Sequence, residues 1–218
     1  MTNRKKWLPP RPEVPVDRAL PNRPRRGGLG YNDLVRGKPI LVVVAGPPGA
    51  GKTTLAHLLA RRIGCPAICR DEIKEGMVHA TGGFVAAPGD ELTLRTLPTF
   101  FEVLELLLGA GVTTVAEAAF QDGVWRPRRQ TLRGLADIRI LHCRVTAETA
   151  RARIHRRQDE DPTRRAHADG RRIDQRTHAA KHDGFQRVRL DAPELEVDTT
   201  DDYRPTLDEI VAFVNAGR

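Results

Sequence analysis

No apolar stretch in the 218-residue chain approaches the roughly 20 residues that cross a bilayer, so a membrane-spanning helix is excluded. A secretory leader is not expected either. Arg25-Arg26 has the look of one, but Gly27-Gly28-Leu29-Gly30-Tyr31-Asn32-Asp33 follows where an apolar segment is required, and the expectation is a cytoplasmic protein. Cysteine is scarce: Cys65, Cys69 and Cys143 are odd in number and lie beside or within apolar runs. That usage argues against a disulfide framework and against a cysteine-built metal centre, and reads as reduced, mostly buried thiols. No internal repeat is visible.

Acidic residues are outnumbered, and the net charge of +8 invites a nucleic-acid reading until its distribution is inspected. Residues 1–38 hold 10 Lys/Arg against 3 Asp/Glu, a balance of +7 that leaves only +1 for residues 39–218. Residues 1–37 are also rich in proline and carry no regular apolar period, so they read as an extended or disordered basic arm, separate from a domain over 38–218. Such an arm suits nucleic acid or a phosphorylated partner, and equally a solvated tail that aids solubility. A second basic region, residues 126–176, holds 15 Arg against 7 acids.

What the chain does have is Gly46-Pro47-Pro48-Gly49-Ala50-Gly51-Lys52-Thr53, which meets the pattern G-x-x-x-x-G-K-[ST] at every fixed position and is followed by Thr54. Before it stands the apolar run Ile40-Leu41-Val42-Val43-Val44-Ala45, a buried strand, and after it Leu55-Ala56-His57-Leu58-Leu59-Ala60, a helix. In that context the glycines let successive N–H groups face one concavity at a helix N-terminus, where a nucleotide phosphate belongs. Lys52 is placed to reach the β- and γ-phosphates of ATP and Thr53 to hold Mg2+. Further along, short apolar strands end near Cys69, Glu117, Cys143 and Asp198 and alternate with helices. The expected fold is α/β: a P-loop NTPase three-layer sandwich with a mostly parallel five-stranded sheet, helices on both faces, and an arginine-rich lid at about 151–170.

Ligands of an open parallel sheet bind outside the carboxyl ends of its strands. That rule brings Asp71, after the second strand, and Glu117, at the end of the third, close to the transferable phosphate. Asp71 also suits a helix cap, which is compatible with catalysis. For Glu117 the open roles are orienting Mg2+ through water, binding an acceptor, or pairing with Arg126 or Arg128. Arg153 and Arg157 share a helix face one turn apart, with Arg164 and Arg165 beyond, and read as a phosphate-covering lid or as a solvated, salt-bridged helix. Phe84, Phe120 and Trp125 are candidates to stack on an acceptor ring, with core packing as the alternative. His178 and His182 have metal-ligand spacing, but no third ligand is evident and surface histidines are expected. A motor ATPase would carry an apolar strand ending in Asp-Glu, and Thr113-Thr114-Val115-Ala116-Glu117-Ala118 is not one.

On Gly46 to Thr54, Arg70-Asp71-Glu72-Ile73-Lys74, the arginine-rich stretch after the fourth strand and Val197-Asp198-Thr199-Thr200, the chain resembles the small AAA-type P-loop kinases over residues 39–214. These include polynucleotide 5′-hydroxyl kinases, chloramphenicol phosphotransferases and zeta-toxin-like sugar-nucleotide kinases. The resemblance implies an ATP- and Mg2+-dependent phosphotransferase in which Asp71 is the general base, Lys74 or Arg70 helps to place the acceptor, and lid arginines such as Arg153 and Arg157 stabilise the transition state. Thr199, Thr200 and Tyr203 fall where related folds contact adenine. The near-neutral domain favours a small acceptor (a nucleoside, sugar or antibiotic) over a polynucleotide end. A nucleotide-binding regulatory protein without a small acceptor is the reading from another class.

Overall fold

A computed structural model of the chain describes residues 37–160 and 182–217, together with Thr163, Ala166, His167, Ala179 and Ala180. The basic arm, Arg164, Arg165 and His178 therefore lie outside the described residues, as does most of the helix expected at 171–182.

Strand β1 (Ile40–Ala45) is the middle of the sheet, and all six of its residues are buried. This explains its unbroken apolar run, because alternate residues face two different cores. Ile40, Val42 and Val44 meet Leu55 and Leu59 of α1 (Lys52–Ile63), while Leu41, Val43 and Ala45 meet Phe100, Phe101, Leu104 and Leu108 of α3 (Glu91–Gly109). Between α1 and α3 come β2 (Ala67–Cys69) and α2 (Arg70–Ala80). After α3 follow β3 (Thr114–Glu117), α4 (Asp122–Trp125), a short 3-10 turn at Arg126–Arg128, α5 (Arg129–Leu135) and β4 (Asp137–Arg144). Then come α6 (Ala147–Glu160), β5 (Glu194–Asp198) and α7 (Leu207–Asn215). The helix expected over 126–135 is thus broken at its start, where Pro127 sits in the tighter turn.

The five strands run in the order β2-β3-β1-β4-β5 and every neighbouring pair is parallel. Helices cover both faces, as the alternation of elements predicts. The register aligns the carboxyl ends of three strands: Glu117 pairs with Val44 on one side and Cys69 on the other. The ends of β1, β3 and β2 therefore stand level, and the segments leaving them converge. Among the described residues no helix is long and apolar enough to cross a membrane.

Candidate active site

The loop between β1 and α1 is held by backbone shape. Gly46 has φ 147 and a Cβ there would lie 2.5 Å from the Cys143 carbonyl oxygen; Gly49 has φ 83 and its Cβ would lie 2.4 Å from that of Ala150. Both obstacles are main chain, so only glycine fits, and the packing of the loop against β4 and α6 is what demands it. Lys52 is buried at the loop's end, its Nζ donating to the Pro47 carbonyl at 3.0 Å and lying 3.8 Å from Glu117 Oε1. The Thr53 hydroxyl donates to Glu117 Oε2 at 3.0 Å. This pair offers the oxygen donors that a hard dication such as Mg2+ takes.

Glu117 is buried, and burial pushes its carboxyl above the ordinary value, opposed by the Lys52 ammonium and reinforced by Asp71. It does not pair with the arginines weighed from the sequence: Arg126 bonds to Asp122 and Arg128 to Glu105. Asp71 stands in the first turn of α2, where the helix dipole favours a carboxylate. It is not the cap, because that position is Cys69. The guanidinium of Arg70 donates to Asp71 Oδ1 at 3.0 Å, so the two residues face the cleft as a pair.

The opposite wall is α6 and the segment after β5. Arg153 and Arg157 line the same cleft, as their spacing predicts. The Arg153 guanidinium braces the wall: its Nη2 donates to the Thr199 and Thr200 carbonyls, each at 2.6 Å. The Thr199 hydroxyl in turn donates to the Ala50 carbonyl at 3.0 Å and so fastens the phosphate loop to β5. Thr200 meets Arg153 through its carbonyl, while Asp201, Asp202 and Tyr203 line the cleft. Past α6, His167 is buried, lies 3.0 Å from Glu75 of α2 and lines the cleft. Nothing in the local sequence around His167 marks that partner. The cleft measures about 960 Å3, of the size that holds a nucleotide-sized ligand.

Three residues expected at an acceptor are engaged elsewhere. Lys74 is 2 % exposed, its Nζ 2.8 Å from Asp90 Oδ2 and 5.6 Å from the Phe84 ring centroid, so its charge is spent holding α2 to the start of α3. Trp125 is fully buried, edge-on to Phe100 and Phe101 at 5.8 Å and 5.3 Å between ring centroids. Phe120 joins the same cluster, 5.7 Å from Phe100. For both aromatics the burial of ring surface against α3 prevails over the cleft. His182 bonds to Asp183 at 3.2 Å.

A family model described as an AAA domain matches residues 41–192. No curated protein sequence matches the chain. Among solved structures, a candidate kinase from Chloroflexus aurantiacus is 23% identical, with a TM-score of 0.71 over 81% of this chain and 97% of that one. A sugar kinase from Janibacter sp. is 20% identical with a TM-score of 0.55, over 82% of this chain and 96% of its own. The APS kinase of Mycobacterium tuberculosis, in complex with AMPPNP and APS, is 15% identical with a TM-score of 0.56, over 83% and 99%. The family match spans more than half of the sequence and includes the phosphate loop, Asp71, Glu117 and α6, and the chain belongs to the AAA domain family with the fold of the small P-loop kinases.

Proposed function

We propose that the protein is an ATP- and Mg2+-dependent phosphotransferase that moves the γ-phosphate of ATP to a hydroxyl of a small molecule such as a nucleoside, a sugar or an antibiotic. The observation that carries this reading is the meeting of Lys52, Thr53, Asp71 and Glu117 in one cleft, from elements up to 65 positions apart in the sequence. The N–H groups of the loop and the N-terminus of α1 cradle the β-phosphate. Lys52 exchanges the Pro47 carbonyl for phosphate oxygens. Thr53 and Glu117 would hold Mg2+, which would neutralise charge on the phosphates. Asp71 accepts the acceptor's hydroxyl proton, and Arg70 fixes the direction of its carboxylate. Arg157 faces the spread charge of the transferring group, with Arg153 supporting the wall from which it acts. Closure over the cleft excludes water, which otherwise diverts the phosphoryl group to hydrolysis.

A 5′-hydroxyl polynucleotide end is the second reading, favoured by the balance of +7 in residues 1–38. The test is a screen with γ-labelled ATP and Mg2+ against nucleosides, sugars, hydroxylated antibiotics and 5′-hydroxyl oligonucleotides. Label moving to a small acceptor supports the proposal, and label on the oligonucleotide replaces it with the second reading. Tight ATP binding with no label on any acceptor turns the weight to a regulatory nucleotide-binding protein.

A further inference from the structure

Beside the phosphate cleft, three residues come together for which phosphate transfer has no use. We infer that His57 of α1, Cys69 at the end of β2 and Glu72 of α2 form a site for a borderline-soft divalent metal ion, zinc in the first place. His57 Nε2 lies 3.7 Å from Cys69 Sγ and 2.5 Å from Glu72 Oε1, and the three donor atoms all lie within 4.8 Å of one another. Metal bonds of about 2.3 Å to sulfur and about 2.0–2.2 Å to nitrogen and oxygen set tetrahedral S···N and N···O separations of about 3.6 and about 3.4 Å. The sulfur and nitrogen already stand at that spacing. The carboxylate has to withdraw by about 0.9 Å to make room for the ion, and the Glu72 side chain, 44% exposed, is free to turn by that much.

The burial is graded in the way a one-sided site requires. Cys69 is 2% exposed and forms the floor; the His57 side chain is 37% exposed and stands with Glu72 at the mouth, leaving the fourth position to water. A surface ion pair between His57 and Glu72 accounts for their contact alone. It does not account for the thiol aimed at the same imidazole nitrogen. Glu117, Glu72 and Asp71 surround Cys69 with negative charge that attracts a cation, and the thiol proton leaves to solvent as the ion binds. The donor set separates this site from the Mg2+ position: thiolate and imidazole select zinc, whereas Thr53 and Glu117 offer only oxygen. Because Cys69 and Glu72 flank Arg70-Asp71, the ion ties the peptide carrying the cleft carboxylate to α1. Its role is structural or regulatory, and it stands independently of the phosphotransfer reading.

The experiment is a titration of the untagged, metal-stripped full chain with Co2+ as the spectroscopic substitute for Zn2+. The expected result is one equivalent bound with a thiolate-to-cobalt charge-transfer band and tetrahedral ligand-field absorption, bleached by Zn2+ and unaffected by excess Mg2+. Cys69→Ser removes the charge-transfer band. His57→Ala, a change at a half-exposed side chain whose folding is checked by circular dichroism, weakens Co2+ at least about tenfold, the loss that even outer partners of a metal ligand produce. Absence of the band at one equivalent overturns the inference. So does a band that survives Cys69→Ser, which assigns it to Cys65 or Cys143, or an affinity unchanged in a folded His57→Ala protein.

Discussion

Replacing Lys74 by methionine keeps the side chain's length and removes its charge from a site that is 2% exposed. Asp90 then loses the partner at 2.8 Å and keeps the N–H groups of Thr93 at 2.7 Å and Ala87 at 3.3 Å together with the Thr93 side chain. Burial pushes the Asp90 carboxyl up, but the bonds from Lys74 and Thr93 outweigh it and draw the value from 3.8 down to about 2. Net of the burial penalty, the bonds to Asp90 therefore favour its charged form by about 2 kcal/mol, and leaving a buried charge uncompensated costs about 3–5 kcal/mol in other proteins. With the bonds from Thr93 and Ala87 remaining, we expect Lys74→Met to cost about 3 kcal/mol, or about 6–12 °C in Tm for a domain of this size. The double variant Lys74→Met/Asp90→Asn should lose less than the single one, because no unpaired charge remains and asparagine still caps α3. The sign with pH follows from the lowered carboxyl: the stabilisation is complete above pH 3.8 and disappears as pH falls through about 2. Urea unfolding of the wild type and the two variants at pH 7 and at acid pH measures each quantity. A loss below about 1 kcal/mol, or a raised acceptor KM in a protein of unchanged stability, would refute the assignment of Lys74 to structure and return it to the acceptor.

Gly49→Ala places a Cβ 2.4 Å from the Ala150 carbonyl at φ 83, and the left-handed backbone alone costs about 1–2 kcal/mol, so ATP affinity should fall roughly tenfold in a calorimetric titration. Glu117→Gln should raise the Mg2+ concentration needed for half-maximal turnover about 10–100-fold. Since the Glu117 carboxyl titrates above its ordinary 4.5 in the fold, its ionisation costs stability as pH rises past that value; the glutamine variant should therefore show a flatter decline of nucleotide-free stability toward pH 7. Trp125→Ala should cost about 3–5 kcal/mol of unfolding free energy and leave acceptor KM unchanged in the folded fraction, because its ring is in the core.

The strands and the phosphate loop were legible because their signals are local. Six consecutive apolar residues need two buried faces, and the glycine pattern encodes a backbone shape. The convergence of Asp71 and Glu117 was legible through a topological rule, since parallel strands bring their ends to one side of the sheet. What stayed hidden depended on partners distant in the sequence. Lys74 resembles an acceptor-binding residue until the loop before α3 brings Asp90 back to it, 16 positions on. Phe120 and Trp125 read as either stacking or core aromatics because the sequence does not disclose that α3 presents Phe100 and Phe101 to them. The neighbours of Cys69 were hidden in the same way, since the cysteine count speaks only to a centre built of cysteines. The register of β2 against β3 and the turn of α1 that carries His57 bring other ligand types to that thiol.

The central claim is that Asp71 serves the transfer of a phosphoryl group from a nucleotide held by the loop before α1. It is tested most directly by measuring, on the wild-type protein and Asp71→Asn, both γ-phosphate transfer to the acceptor found in the screen and the Kd for ATP. We predict a transfer rate lower by about 10²–10⁴-fold with ATP affinity nearly unchanged, as the loss of a general base requires. Transfer that persists in Asp71→Asn, or that falls only in step with ATP binding, would contradict the account.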